Sequence, residues 1–238
     1  MCRQFITAGK LSELRKLLKD TYNEDIKIRL FTEIEKEEEN IEEEIEEELE
    51  EQRKHKKDYE AILTENVPVI TYENGEKFLT KMKWGIRFNP EINSPLIFNS
   101  RDDTIKEKIF WWQAFDKNRI LIPMFGFYEW RDTGKKKKLK TKITVVKRKI
   151  YIVPGLYFKN KQGINEFSLI TTSPNKFMAN IHTRMPAILD DKNIFSYFTD
   201  SAEENHEKIN PTISDMIMKE LCRDDPEENL FSNNLRHL

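Results

Sequence analysis

Cysteine is almost absent from this chain of 238 residues: Cys2 and Cys222 are the whole complement. A pair so far apart builds neither a disulfide framework nor a zinc site, so a reducing compartment is expected. Also missing are any apolar run long enough to cross a bilayer and the basic-then-apolar N-terminus of a secretory signal. These absences argue against stapled secreted proteins and membrane proteins. An intracellular protein is expected, in cytoplasm and nucleoid or in a nucleus according to its source, with no cofactor and no metal. The length suits one sizeable domain over 1–238, and nothing forces a second.

What is present is charge, unevenly spread. Thirteen Glu and one Lys fall within 33–51, a local charge of −12, so a chain whose formal net charge is −2 carries +10 elsewhere. That remainder is a basic body with scattered aromatics, a composition suited to nucleic acid because Lys and Arg displace counterions from phosphates; an ordinary Lys-rich surface has the same composition. Within the acidic stretch Ile34, Ile41, Ile45 and Leu49 recur at helical spacing, and Arg53, Lys54, Lys56 and Lys57 suit a helix C-terminus. The pattern predicts a long charged helix inserted over 32–57. At the other end, 223–238 reads as a polar tail.

Between these lies a mixed pattern. Ser12, followed by Glu13, Leu14, Leu17 and Leu18, predicts a capped amphipathic helix. Residues Val67–Tyr72 and Lys77–Gly85 around Asn74-Gly75 predict a hairpin. Thr104–Ala114 reads as a helix packing through Ile105, Ile109 and Trp112, and Thr141–Val146 with Ile150–Val153 as another hairpin-like pair. Phe167–Thr172 reads as a strand, Asn175–Ile181 as helix or loop, Ile194–Phe198 and Ile213–Leu221 as apolar helical pieces, and Cys222 as an ordinary buried thiol. The four lysines of 135–138 read as a solvated loop.

The residues that draw attention chemically are few. Ile120–Trp130 is an apolar strand pattern that ends by setting Glu129 among Phe127, Tyr128 and Trp130. Burial among aromatics favours the protonated carboxyl and suits proton transfer near neutral pH, although strand alternation alone would let Glu129 face solvent or an ion pair. Cys2 follows the initiator Met, whose removal would leave a free α-amine beside a thiol, two groups that can close on one aldehyde as a thiazolidine. Otherwise Cys2 is an incidental residue of a frayed terminus. Phe98-Asn99-Ser100-Arg101 delivers an amide and a guanidinium from a strand end, and His182 and Arg184, two apart, share a side of an extended segment.

Taken together, Met1-Cys2, Trp84-Gly85, Phe98–Arg101, Ile122-Pro123 with Gly126–Trp130, and Ile170–Thr172 followed by His182-x-Arg184-Met185-Pro186 resemble the SOS-response-associated-peptidase (SRAP) family. The resemblance covers roughly Met1–Leu189 apart from the Glu-rich insertion. It implies an α+β fold with a central antiparallel, barrel-like sheet and peripheral helices, and a monomer that captures abasic sites in single-stranded DNA during the response to DNA damage. Cys2 corresponds to the nucleophile, Asn99 to the residue that positions it, Glu129 to the carboxylate that handles protons at its amine, and His182 to the imidazole associated with opening the deoxyribose ring. Arg101 and Arg184 match positions that hold DNA phosphates, Trp84 lies in a DNA-facing motif, and Arg3 stands where it could substitute for a basic contact. The chain departs from the family pattern in Arg3-Gln4, where Gly-Arg is usual, and in a loop at 59–64 that has Glu60 and Leu63 in place of Asn and Pro.

Two other functions fit the same residues. A thiol peptidase, or an autopeptidase acting on its own N-terminus, would use a Cys-His pair, but no oxyanion-hole motif accompanies it. A noncovalent single-stranded DNA-binding protein would keep the basic body and lose the chemistry.

Overall fold

The computed structural model describes residues 2–30, 59–88, 94–132, 134 and 138–209, with the backbone of 216–220. The insertion expected at 32–57, the tail expected at 223–238 and Cys222 lie outside the described residues.

Strands dominate. The first half holds β1 (Gln4–Thr7), helix α1 (Leu11–Tyr22), β2 (Lys27–Ile28), β3 (Tyr59–Ile62), β4 (Asn66–Glu73), β5 (Glu76–Trp84) and β6 (Asn99–Arg101). Helices α2 (Asp102–Glu107) and α3 (Ile109–Lys117) lead into β7 (Arg119–Met124), β8 (Gly126–Arg131), β9 (Leu139–Val145), β10 (Tyr151–Lys159) and β11 (Asn165–Thr172). The short β12 (Met185–Pro186), helix α4 (Ala202–Lys208) and β13 (Met216–Glu220) follow.

Strands β11, β10, β7, β4 and β5 pair antiparallel in that order, and β5 returns to β11 through a short parallel pairing at Lys83–Glu166 and Trp84–Phe167. The sheet thereby closes into a barrel. A second, antiparallel sheet runs β13-β9-β8-β1-β3. This is the α+β arrangement that the motifs implied.

Alternation along the strands divides the core in two. Ile120, Ile122 and Met124 of β7, Tyr151 and Val153 of β10, and Phe167 and Leu169 of β11 enter one apolar cluster, which also takes in Cys2 and Phe5. Their neighbours Leu121, Ile152 and Ile170 enter the other, packed beneath α1 and α3. A strand buried on both faces needs an unbroken apolar run, which is why Ile120–Ile122 carries no polar residue.

The hairpin β4–β5 forms as predicted, with Asn74 and Gly75 both at positive φ (52° and 84°) in the two-residue turn. Other expectations are corrected. Helix α1 starts at Leu11 with Lys10 as its cap and no side-chain capping bond, so Ser12 lies inside the helix; burial of Leu11, Leu14 and Leu18 sets its start. The helix expected over 104–114 is two helices, broken at Lys108, which is extended, and the break turns Ile109 out to 76% exposure. Ile105 packs inward as expected, with Trp112 against the same core, and Ala114 and Phe115 take the place expected of Ile109. Strands β9 and β10 do not pair: β9 joins β8 and β10 joins β7, because each follows its own sheet. The segment 59–62, expected as loop, is a strand on β1 with Ala61 buried. Residues 216–220 are a strand on β9 rather than a helix, and 3-10 turns occupy Asp191–Asn193 and Ser196–Phe198. Among the described residues, no helix is long and apolar enough to cross a membrane.

Candidate functional site

The stretch Ile120–Trp130 divides at Phe125. Before it, β7 belongs to the barrel; after it, β8 belongs to the second sheet, and the Phe125 amide donates to the Ile6 carbonyl at the crossing. Gly126 eases the crossing, since a Cβ there would stand 3.1 Å from the Ile143 carbonyl oxygen and 3.3 Å from Ile6 Cδ1, tight for either neighbour. Strand β1 pairs with β8 at Phe5–Phe127 and Ile6–Gly126. Carried on, that antiparallel register brings Glu129 level with Arg3, next to Cys2.

Cys2 is not frayed. It is 1% exposed, its Sγ donates to the Gln4 carbonyl at 3.4 Å, and its own carbonyl accepts from Asn99 Nδ2 at 3.0 Å. Asn99 comes from the start of β6, which is held in place by parallel pairing with β11 and by a 2.6 Å bond between the Ser100 and Ser168 hydroxyls. The Asn99 Oδ1 is buried with no hydrogen-bond partner. It is an acceptor already turned away from water beside the nucleophile candidate.

Burial pushes the Cys2 thiol far above its ordinary range, and the nearby Glu129 carboxylate adds to the shift. The resting thiol is therefore protonated. Glu129, 2% exposed, is itself raised by burial, against the opposing pull of the chain's N-terminal amine and of His182. The Glu129 carboxylate is therefore within electrostatic reach of both the Cys2 thiol and His182. His182 is half-buried, and its Nδ1 lies 3.0 Å from the Arg184 amide nitrogen and 3.2 Å from the Arg184 carbonyl oxygen.

The residues expected to touch DNA separate. Arg101 is an exposed cation, its side chain 54% accessible and paired with Asp103 at 2.5 Å. Arg3 is exposed and lies over the Phe98 ring, 5.7 Å from its centroid. Arg184 is otherwise placed: its side chain is 10% accessible, paired with Asp102 at 2.5 Å and bonded to the Thr171 carbonyl. Thr172 also donates to Asp102, at 2.7 Å, so Arg184 braces the turn after β6 instead of presenting an open charge. Trp84 faces inward. It is wholly buried, stacked on Phe167 and donating from Nε1 to the Phe98 carbonyl at 2.9 Å, and so holds the approach to Asn99 from inside the core.

Sequence reasoning missed two features. Tyr151 is fully buried in the Cys2 cluster with its hydroxyl unpartnered, and its acidity is suppressed by burial and further by Cys2. The signal was an aromatic hydroxyl at an inward position of an apolar strand. The second feature joins the two departures from the family pattern: Gln4 Nε2 donates to Glu60 Oε2 at 2.5 Å, and the Tyr128 hydroxyl donates to Glu60 Oε1 at 2.5 Å. Lys140 lies 3.5 Å from the same carboxylate. Among the described residues, no three His, Cys, Asp or Glu side chains cluster as a metal site requires.

Comparison with known proteins gives the family and the fold. A model of the "SOS response associated peptidase (SRAP)" family matches residues 29–223, which include Asn99, Glu129 and His182. The chain is 31% identical over 144 residues to the abasic site processing protein YoaM of Bacillus subtilis, covering 57% of this chain and 63% of that protein. It is 25% identical over 173 residues to the abasic site processing protein HMCES of Xenopus tropicalis, covering 58% and 52%. The chain thus spans less than two thirds of the length of either relative. A solved structure from Bacteroides thetaiotaomicron superposes with a TM-score of 0.70 at 22% identity over 94% of this chain and 93% of that one, a likeness of fold.

Proposed function

The chain belongs to the SOS response associated peptidase family, and from that membership we propose that it processes abasic sites in DNA, capturing the opened sugar covalently through Cys2. The observation that carries the reading is the burial of Cys2 against Asn99, with Glu129 within electrostatic reach of both the Cys2 thiol and His182. A frayed, incidental cysteine would have none of these partners. Relatives named as abasic site processing proteins supply the substrate class.

Hydrolytic removal of Met1 frees the Cys2 α-amine. An abasic site is mostly a closed hemiacetal, and proton donation from His182 to the ring oxygen favours the open aldehyde. The amine lone pair attacks C1′, and Glu129 takes a proton from nitrogen and returns one to the departing hydroxyl, so that water leaves and an imine remains. The Cys2 sulfur then adds to C1′: the S–C bond forms, the C=N π pair moves to nitrogen, and nitrogen gains the proton that the thiol loses. The resulting thiazolidine has no iminium to drive β-elimination, which shields the strand. Because burial keeps the thiol protonated, the amine acts first and the sulfur second.

The protein acts as a monomer on single-stranded DNA, where a missing base costs little to expose and the backbone bends into a basic groove. The test is incubation with a single-stranded oligonucleotide carrying one abasic site, followed by denaturing electrophoresis. A retarded, denaturant-resistant band lost in Cys2→Ala supports covalent capture. Salt-labile binding with no such band selects the noncovalent reading, and turnover of peptides without a DNA adduct selects the thiol peptidase.

A further inference from the structure

Away from Cys2, four aromatic rings gather at the surface. Phe88 meets Phe110 at 5.2 Å and Phe158 at 5.3 Å, both edge-on, and Phe110 lies against Phe158 at 5.0 Å with 13° between the ring planes. Trp111 completes the group, 5.5 Å from Phe158. Rings that serve a core end buried, but Phe88 is 43% exposed and Phe110 50%, beside Ile109 at 76%. A contiguous exposed patch of this kind marks an interaction surface.

Two observations say what covers it. Trp111 also walls an open pocket of about 160 Å³ whose other walls include Asn99, Arg101 and Thr104. That volume is well below the ~300–1,000 Å³ of pockets for whole small ligands, and it joins the aromatic surface to the residue bonded to Cys2. Cations attend each aromatic segment: Arg87 precedes Phe88, Lys108 lies two residues before Phe110, and Lys159 follows Phe158. The acids within three residues of those rings in sequence are Glu91 and Glu107; at the pocket Asp103 pairs with Arg101 at 2.5 Å, and Glu166 is buried and bonded to the Arg87 amide and to Asn160. The core of a protein–protein interface is depleted in charge, whereas a single strand needs base-stacking faces with cations alongside for its phosphates.

We propose that Phe88 and Phe110, backed by Trp111 and Phe158, form a stacking platform for the intact bases that flank the abasic nucleotide, with the pocket between Trp111 and Arg101 as the passage into the site. The platform rests on the abasic-site reading and adds the path of the substrate's undamaged flank. Stacking on open ring faces tolerates any base, so the platform confers affinity for single strands without sequence preference.

The experiment measures binding of an undamaged single-stranded oligonucleotide by fluorescence anisotropy for the full chain and for Phe88→Ala, Phe110→Ala and the double variant. Phe110→Trp serves as the conservative control, and thermal melts confirm that each variant folds. Each alanine is expected to weaken binding by at least about 5-fold per base unstacked, and Phe110→Trp to retain it. Lengthening the flank should strengthen wild-type binding and leave the double variant unimproved. Alanine variants that bind as tightly as wild type overturn the platform. So does a changed sedimentation mass with unchanged DNA affinity, which would assign the patch to a second copy of the chain. A separate arm, adduct formation by the wild type on an abasic oligonucleotide, tests the underlying reading: loss of affinity without any wild-type adduct leaves the platform standing and removes the covalent chemistry.

Discussion

Asn99 Nδ2 donates to the Cys2 carbonyl at 3.0 Å, joining residues 97 positions apart in the chain. The bond fixes the backbone of a residue that would otherwise be a free terminus, and so fixes where its amine and thiol stand. Asn99→Ala is expected to slow adduct formation by about 10- to 100-fold, the scale at which a misplaced reacting group loses rate. The fold should lose only about 1 kcal/mol. Single-turnover kinetics beside a thermal melt separate the two effects, and a rate within twofold of wild type would count against the positioning role.

Glu129→Gln should abolish rapid adduct formation while keeping shape, since an amide cannot carry the proton between amine and hydroxyl. It should also change the dependence of stability on pH. Burial raises the folded-state pKa of Glu129 above its ordinary 4.5. Between 4.5 and the raised value, the folded chain holds a proton that the unfolded chain has released, so stability falls as pH rises through that window. Denaturant titrations at several pH values should show that fall in the wild type and its loss in Glu129→Gln; an identical slope in both would contradict the buried placement.

Trp84 divides a core role from a DNA-contact role. As a wholly buried ring packed on Phe5 and Phe167, it should destabilise the fold by about 3–5 kcal/mol when replaced by Ala. Trp84→Phe should recover most of that stability and leave single-strand affinity unchanged. A large loss of affinity in Trp84→Phe with full stability would restore the expectation drawn from the motif.

The two arginines should behave oppositely. Arg184→Ala breaks a buried pair with Asp102 and should cost about 3–5 kcal/mol of stability. Arg101→Ala removes an exposed cation, leaves the melting temperature alone and lowers the salt slope of DNA binding by about 1. Binding isotherms at several salt concentrations and melting curves for both variants distinguish the cases.

Much of this was legible in the residues. Apolar runs such as Ile120–Ile122 announce strands, Asn74-Gly75 announces its own turn, and the separated motifs name Asn99, whose side-chain amide reaches the Cys2 carbonyl. What was not legible depends on the third dimension. A buried Trp84 and a DNA-facing one have the same local sequence; the difference is made by Phe5 and Phe167, which arrive from β1 and β11. Arg184 becomes a brace only because Asp102 comes to it from 82 positions away. The break at Lys108 in the helix expected over 104–114 leaves no mark in the apolar periodicity, since only the extended backbone of that one residue separates the two helices. Gln4 and Glu60 looked like two separate departures from a family pattern, and are one hydrogen-bonded pair across β1 and β3.

Closure of Cys2 on an abasic sugar with both its amine and its sulfur is read out by intact mass. After reaction with a single-stranded oligonucleotide bearing one abasic site, the adduct should weigh as the chain without Met1 plus the oligonucleotide, less a single water molecule. Borohydride should leave that mass unchanged, because a thiazolidine has no C=N bond to reduce. A protein that retains Met1 and forms no adduct, or an adduct of equal yield from Cys2→Ala, would contradict the account.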